Sequence, residues 1–479
     1  MALFIKESYT RSFKVMNSIT ATQNNDTIKR FLIEEIVVEG EDMISKLHES
    51  ILGHILSFLP TKEAVQTSVL SKRWIDAWTS ITGLQFDDSF YCFGKKMQKE
   101  QFVCLVNKVL LPLAHSSIQS FSLSLTCHQY DSTLVSSWLS SIFERGVQKL
   151  HIQYADNVHF PSHSLFNCKS LVQLVLQMRC TFSVPVSASL PNLQNLNISG
   201  VRLVSESTTY SEDLILNFPV LKVLEARGCE LLTKQNISIE APLLERFSIA
   251  IWRSLSKETY KSSINVFAPN LTDFSYEGDL QQDVILQNSS SIRSASLVIV
   301  IDEDKKKSVE KVGFQVHKLL AQIREVEQLK LLFYKVLIHA RDIFNHLPSF
   351  GRLTYLQLNE VTGEALLNIL HNSPILDTLV LQNGVSEFNK DVLTSASMPQ
   401  CFLNSLKVFQ FKEFNVHKHE LFLAKFVMAN AAVLEQMTIC AAFWLRYSDV
   451  DMEKVKEQIL SFPKCSNVVS IQFCNVKGS

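Results

Sequence analysis

The sequence predicts an α/β fold, with a short helical segment near the N-terminus followed by an irregular solenoid in which each repeat supplies one short strand. Three observations predict it. A triplet of apolar residues recurs along most of the 479 positions, prolines stand at a fixed offset before it, and between Asp42 and Trp78 the apolar spacing changes to that of short helices.

The triplet, apolar-x-x-apolar-x-apolar, is clearest at Leu171, Leu174, Leu176; Leu193, Leu196, Ile198; Leu244, Phe247, Ile249; Leu353, Leu356, Leu358; and Leu376, Leu379, Leu381. Its second and third positions are two apart and share one face of a strand, while the first lies where the chain enters it. Further copies start at Ile118, Val147, Leu221, Leu271, Ile292, Leu329, Leu406, Leu434 and Val468, so most steps run from 21 to 30 residues. One strand every ~20 to 29 residues is the spacing of leucine-rich repeats, which stack to bury one continuous core. Residues 89–399 are assigned to these repeats.

Pro191, Pro219, Pro242, Pro269 and Pro374 each stand two residues before the first apolar position of a repeat. A residue without an N–H ends the preceding segment and is tolerated at strand entry. The Asn ladder of the commonest repeats is poorly kept, although Cys229 stands eight residues after Leu221, so the horseshoe is expected to be irregular. The longest step, 37 residues from Ile292 to Leu329, holds "DEDKKK" and then Val309, Val312, Val316, Leu319, Leu320 and Ile323 at helical spacing. That predicts a solvated loop followed by a helix on the convex side.

In residues 42–88, Ile51, Leu52, Ile55, Leu56 and Leu59 recur at spacings of three and four, and Pro60 closes that helix. Thr61 is expected to cap a second helix carrying Ala64, Val65 and Val69, and Ser71 a third carrying Trp74 and Trp78. The segment from Asp42 to Trp78 is too short to bury all these faces, since chains below about 40 residues usually need help to fold. Either the repeats cover them or another protein does.

Composition narrows the function. About 46% of residues are hydrophobic, and Lys+Arg 46 against Asp+Glu 47 leaves a net charge of −1. No overall field favours a nucleic acid or an anionic membrane, so a partner is recognised by shape and local contacts. No apolar run approaches the ~18 residues of a membrane span and no secretory signal is present, so the chain is expected to be soluble and intracellular, nucleus and cytoplasm unresolved. Residues 1–41 are expected to form a disordered tail. The ten cysteines form no C-x-x-C pair, which speaks against structural zinc and a disulfide framework and for buried thiols.

"DMISKLHESILGHILSFLPTKEAVQTSVLSKRWIDAWTSITGLQFDD" resembles the F-box of plant proteins that carry leucine-rich repeats, most clearly in "ILSFLPTKEAVQTSVLSKRW". Downstream, "FVCLVNKVLLPLAHSSIQSFSLSL" and "VSSWLSSIFERGVQKLHI" resemble the same family. "SLKVFQFKEF", "NAAVLEQMTI" and "FPKCSNVVSIQF" are similar to its FBD domain, placing an FBD-like end at residues 400–474 that closes the solenoid. Two departures stand out: Met43 replaces a usual basic residue, and His48 follows Leu47 where the family generally has proline. Both bear on the first loop's grip on a partner.

The resemblance implies an F-box docking onto a Skp-family adaptor, which attaches the chain to a cullin and a RING subunit of a ubiquitin ligase, with no cofactor. Leu47, Ile51, Ile55, Leu59, Pro60, Val65, Leu70 and Trp74 are the residues assigned to that contact; Trp74 and Leu56 are also the foremost candidates for packing inside instead. Excess apolar surface on a small helical segment agrees with a docking module. The alternative is a repeat scaffold that works without a ligase.

Catalytic chemistry is not expected. "HKHE", with His417, His419 and Glu420, is the nearest approach to a metal cluster and reads as an exposed polar helix start. Nucleophile-elbow, Walker A and dinucleotide-binding glycine patterns are missing. A chain of this kind contributes to ubiquitin transfer by placing a protein substrate close to the reacting centre. The residues two, four and six after the first apolar position should face away from the core, giving Glu225, Arg227, Arg246, Asp273, Glu277, Tyr355, Gln357 and Asn359, with Gln382 beyond, as the substrate face. Its mixed charge suits a protein or peptide better than a nucleic-acid backbone.

Overall fold

The computed structural model describes residues 47–89, 99–113, 117–206, 213–232, 235–251, 263–280, 282–300, 306–333, 347–359, 361–386, 397–447 and 450–475. The expected tail, Met43 and most of the "DEDKKK" run lie outside them. Fifteen strands, from Gly83–Asp87 to Ser470–Asn475, form one open sheet whose pairings are all parallel, and a second parallel sheet has five strands. Among the described residues no helix is long and apolar enough to cross a membrane.

Each large-sheet strand begins two residues after the first apolar position of its triplet. Leu171 precedes Gln173–Val184, Leu244 precedes Arg246–Ile251 and Leu376 precedes Thr378–Leu381. Burial alternates along the strands, as in Ser120–Leu125 and Asp273–Gly278, so every second side chain enters the core. Parallel register then stacks like on like: Leu224, Phe247, Phe274 and Ala295 lie side by side on successive strands.

The prolines have a more specific role than ending a segment. In Leu190-Pro191-Asn192-Leu193 the Leu193 N–H donates to the Leu190 carbonyl at 3.3 Å, and Leu221, Leu244, Leu271 and Leu376 donate likewise to the residue three before. Proline therefore occupies the second position of a four-residue turn, where its fixed φ is already correct. The first apolar residue is the fourth position of that turn, aimed into the core before the strand starts.

Three repeat positions differ from expectation. The repeat placed at Leu329 begins at Val326, because Leu329 pairs in register with Ala295 and Val326 occupies the place of Ile292. An earlier copy, Ile81, Leu84 and Phe86, is buried and starts the sheet within residues 42–88. Val468, at the first position of the final copy, is 72% exposed, since among the described residues no strand follows to cover it.

The sheet is backed in two ways. Lys99–Leu110, Ser132–Glu144, Lys306–Gln322, Gly363–His371 and Lys418–Asn430 are helices, and the third buries Val312, Val316, Leu319 and Leu320 as its spacing predicts. Between them, Ser187–Ser189, Leu214–Asn217, Ile237–Glu240, Ser263–Phe267 and Asp283–Gln287 form the second sheet. The central repeats are thus closed by strand rather than helix. A single apolar cluster runs from Leu56 to Ile459.

The helical segment is joined to the repeats through Asp88. Its buried carboxylate accepts the backbone N–H of Thr126 at 2.7 Å and Cys127 at 3.1 Å, and the Tyr130 hydroxyl at 3.2 Å. Burial, and then the Asp88 charge, push the Tyr130 phenol well above its ordinary value. The buried-thiol expectation holds for Cys168, Cys180, Cys229, Cys401 and Cys440, whereas Cys127 is disulfide-bonded.

Candidate functional site

Glu49–Leu56 and Thr61–Gln66 are α-helices; the third expected helix is instead two 3-10 turns, Lys72–Trp74 and Ala77–Ser80, preceded by a further turn at Thr67–Val69. Tight turns replace a helix here because hydroxyls bond back to nearby carbonyls. Thr67, Ser68, Thr79 and Ser80 each donate to the carbonyl three residues before, at 2.6 to 2.7 Å. Neither Thr61 nor Ser71 caps as expected. Pro60 takes the cap position of the second helix, Ser71 makes no side-chain cap bond, and the buried Thr61 hydroxyl accepts the Gln85 N–H at 2.6 Å, fixing this helix to the first strand of the sheet.

The inward face is small and tightly packed. Leu52, Leu56, Ala64 and Ala77 are buried, and a Cβ placed on Gly53 would lie 2.5 Å from Ser80 Oγ, so only glycine lets the first helix approach the last turn. Outward, among exposed polar residues, stand five large apolar side chains: Val69 is 83% exposed, Phe58 71%, Leu70 54%, Ile75 50% and Ile51 47%. Phe58 also meets His54 edge-on, with ring centroids 5.0 Å apart. Of the 17 exposed large apolar side chains among the described residues, these five fall within the 25 positions from Ile51 to Ile75. Such a concentration is denser than the singly scattered apolar residues of an ordinary surface.

Of the eight residues assigned to adaptor contact, Ile51 and Leu70 stand on this outward face. Leu59, Val65 and Trp74 are half-buried against the core, and Leu47, Ile55 and Pro60 are half-buried. Sequence reasoning missed Phe58, Val69 and Ile75. Val69 was placed on a helix face beside Ala64, but the turn at Thr67–Val69 rotates it outward.

The expected substrate face divides into two clusters. Val223–Leu231, Arg246–Ile251 and Asp273–Gly278 are adjacent strands, with Arg246 directly across from Asp273. Glu225 accepts from Asn197 at 3.0 Å and from Arg227 at 3.2 Å, and Arg227 and Arg246 are exposed. Glu277 is half-buried on the same face. Tyr355 lies three strands beyond Asp273, roughly 14 Å away at ~4.8 Å per strand. There the Tyr355 hydroxyl donates to Gln357 at 3.1 Å and Gln357 to Gln382 at 3.1 Å. Asn359 does not belong to this face. It is 2% exposed, because the strand ends at Leu358 and alternation ends with it.

"HKHE" is the polar helix start that the sequence predicts, with His417 and Lys418 exposed, but Glu420 turns inward as part of the cap. Glu420 is buried, and its carboxylate accepts the backbone N–H of Asn415 at 2.9 Å and His417 at 3.1 Å. Among the described residues no group of three His, Cys, Asp or Glu is placed to hold a metal ion.

Comparison with known proteins agrees with this layout. Residues 44–83 match the F-box domain, 135–300 the repeats of "FBD-associated F-box protein At5g56370, LRR repeats", and 394–439 the FBD domain. The Arabidopsis thaliana F-box/FBD/LRR-repeat protein At3g14710 is 31% identical over 444 residues, covering 90% of this chain and 94% of the relative. F-box/LRR-repeat protein At1g06630, from the same plant, is 31% identical over 82% of this chain and 96% of its own length. The Arabidopsis FBD-associated F-box protein At4g10400 is 27% identical over 83% of this chain and 92% of its own length.

Proposed function

The chain belongs to the F-box/FBD/LRR-repeat family, and we propose from that membership that it is the substrate-recognition subunit of a Skp-cullin-F-box ubiquitin ligase. Residues 42–88 serve as the F-box, with the first strand of the large sheet at its end, 89–399 as the remaining repeats and 400–474 as the FBD-like end. The F-box docks on a Skp-family adaptor and through it on the cullin and RING subunit. The repeats hold a protein substrate, and the chain contributes proximity rather than covalent chemistry.

The observation that carries this reading is the outward apolar face of Ile51, Phe58, Val69, Leu70 and Ile75. Apolar side chains left bare on a folded segment lose contact with water when a complementary surface arrives, which is favourable by ~25 cal/mol per Å² buried. Buried hot-spot side chains at interfaces cost about 2 kcal/mol or more when truncated. Phe58→Ala, Val69→Ala and Leu70→Ala together should therefore weaken adaptor binding by about thirty-fold at least, while leaving the fold intact, because none of the three is buried. Co-purification from cells expressing tagged chain and adaptor tests this. Undiminished recovery of adaptor with the triple variant would favour the repeat scaffold that works without a ligase.

The open sheet face is the proposed substrate site, with Arg227, Arg246 and Asp273 in one cluster and Tyr355, Gln357 and Gln382 in the other. Cross-linking from Arg227 and Tyr355 positions, each replaced by a photoreactive residue, should capture the same substrate at both.

A further inference from the structure

We propose that Cys440 and Cys474 are a redox-active dithiol whose reversible disulfide staples the last strand to the sheet. Strands Gln436–Ala441 and Ser470–Asn475 pair in parallel, and their register sets Cys440 directly opposite Cys474. Adjacent strands lie about 4.8 Å apart, inside the ~4.4 to 6.8 Å between Cα atoms that a disulfide spans. Among the described free cysteines, no other two are paired in register across neighbouring strands.

Both residues lie on the sheet face opposite the core cluster, where Cys440 is buried and Cys474 half-buried. Met437 and Ile439 enter the core, so alternation turns Gln436, Thr438 and Cys440 the other way; Ile471 and Phe473 pack on the core and leave Gln472 and Cys474 outward. The thiols also interact. Burial, then a hydrogen bond to Cys474 and the charge of that residue, push the Cys440 thiol up to about 11, with Lys412 acting in the opposite sense. Cys180, Cys229 and Cys401 are enclosed in the core and offer an oxidant no comparable approach.

The strand that would be stapled is weakly held. It pairs on one side only among the described residues, Ile471 and Phe473 are half-buried, and Val468 at its entry is exposed. With hydrogen peroxide as oxidant, the Cys474 thiol gives its proton to solvent and the thiolate attacks one peroxide oxygen; an S–O bond forms, the O–O bond breaks, and the departing hydroxide takes a proton from solvent to become water. The Cys440 sulfur then attacks the sulfenic sulfur of Cys474. The S–S bond forms, the S–O bond breaks, and the departing hydroxide takes the Cys440 proton as a second water. Two thiols lose two electrons and peroxide gains them. A dithiol reductant reverses the step by exchange.

The test uses the full chain, reduced and then treated with hydrogen peroxide, capped with iodoacetamide and digested for mass spectrometry. The expected product is a cross-linked peptide pair joining Cys440 to Cys474 that disappears after dithiothreitol. Amide hydrogen exchange across residues 470–475 should slow by about tenfold or more in the oxidised chain relative to the reduced one. In Cys440→Ser, Cys474 should instead remain as a sulfenic acid that dimedone captures. Pairing of Cys474 with the exposed Cys465, failure of Cys474 to react before Cys104 and Cys465, or identical exchange in both states would overturn the proposal. Reduced and oxidised wild type differ by no substitution, so misfolding of a variant cannot mimic either result.

Discussion

The F-box and the central repeats handle apolar side chains in opposite ways. Between Ile51 and Ile75 five large apolar residues are exposed; across the much longer span from Leu214 to Leu286, Ile215 and Leu243 are the exposed ones among the described residues. The repeats hold two covers, a large sheet in front and a small sheet behind, and each repeat is flanked by the next. The F-box has one cover, supplied through Leu56, Ala64, Ala77 and the first strand, and among the described residues its five outward apolar side chains stay exposed. A solenoid is closed by its own translation, whereas a docking module remains half-closed until its partner arrives.

The harshest way to break that comparison is to remove the terminal cover. Deleting residues 400–479 takes away three strands of the large sheet and bares Leu379 and Leu381, so the truncated chain should aggregate, read by light scattering and gel filtration. A monomeric truncation that melts cooperatively would show that the C-terminal segment is an independent domain.

A single core substitution should be the next largest effect. Phe247 and Phe274 lie on neighbouring strands with ring centroids 5.8 Å apart, both buried. Phe274→Ala should cost about 3 to 5 kcal/mol in urea unfolding, while Phe58→Ala should change stability by less than about 0.5 kcal/mol. Equal costs would erase the distinction between the regions.

Smaller again is the junction between them. Asp88→Ala removes the acceptor of the Thr126 and Cys127 N–H groups and of the buried Tyr130 hydroxyl, and should cost about 1 to 3 kcal/mol. The loss should appear as faster hydrogen exchange at residues 83–88 and 120–130, with the strands beyond Gln173 unaffected.

The smallest effect on stability should come from the open face. Reversing charge at Arg227 and Arg246 together with Tyr355→Ala touches exposed or half-buried side chains, so melting should shift little. Captured substrate should nonetheless disappear while adaptor binding persists. Capture that survives these changes and fails on alteration of residues 400–479 would move the recognition surface to the C-terminal end.

The strands were legible because one short triplet, repeated at near-constant spacing, carries both period and register. The repeat start falls at Leu329 instead of Val326 in the sequence reading because "VEQLKLLFY" offers two overlapping triplets, and the paired register with Ala295 selects the first. The second sheet was invisible for the opposite reason: strands of three to five residues are too short to establish a period. Asn359 was carried past the end of its strand by an alternation that stops at Leu358. In the F-box, apolar spacing locates the first helix but extends the second helix to Val69, since no periodicity foretells a switch to 3-10 turns imposed by Thr67 and Ser68.

The central claim, that the outward F-box face is half of an interface, is tested most directly by titration calorimetry of the purified chain with a purified Skp-family adaptor at several temperatures. The predicted result is one-to-one binding with a negative heat-capacity change, the signature of apolar burial. Combined Phe58→Ala, Val69→Ala and Leu70→Ala should weaken it by about thirty to a thousand-fold. No heat of binding for the wild type, or an affinity that the triple variant leaves unchanged, would contradict it.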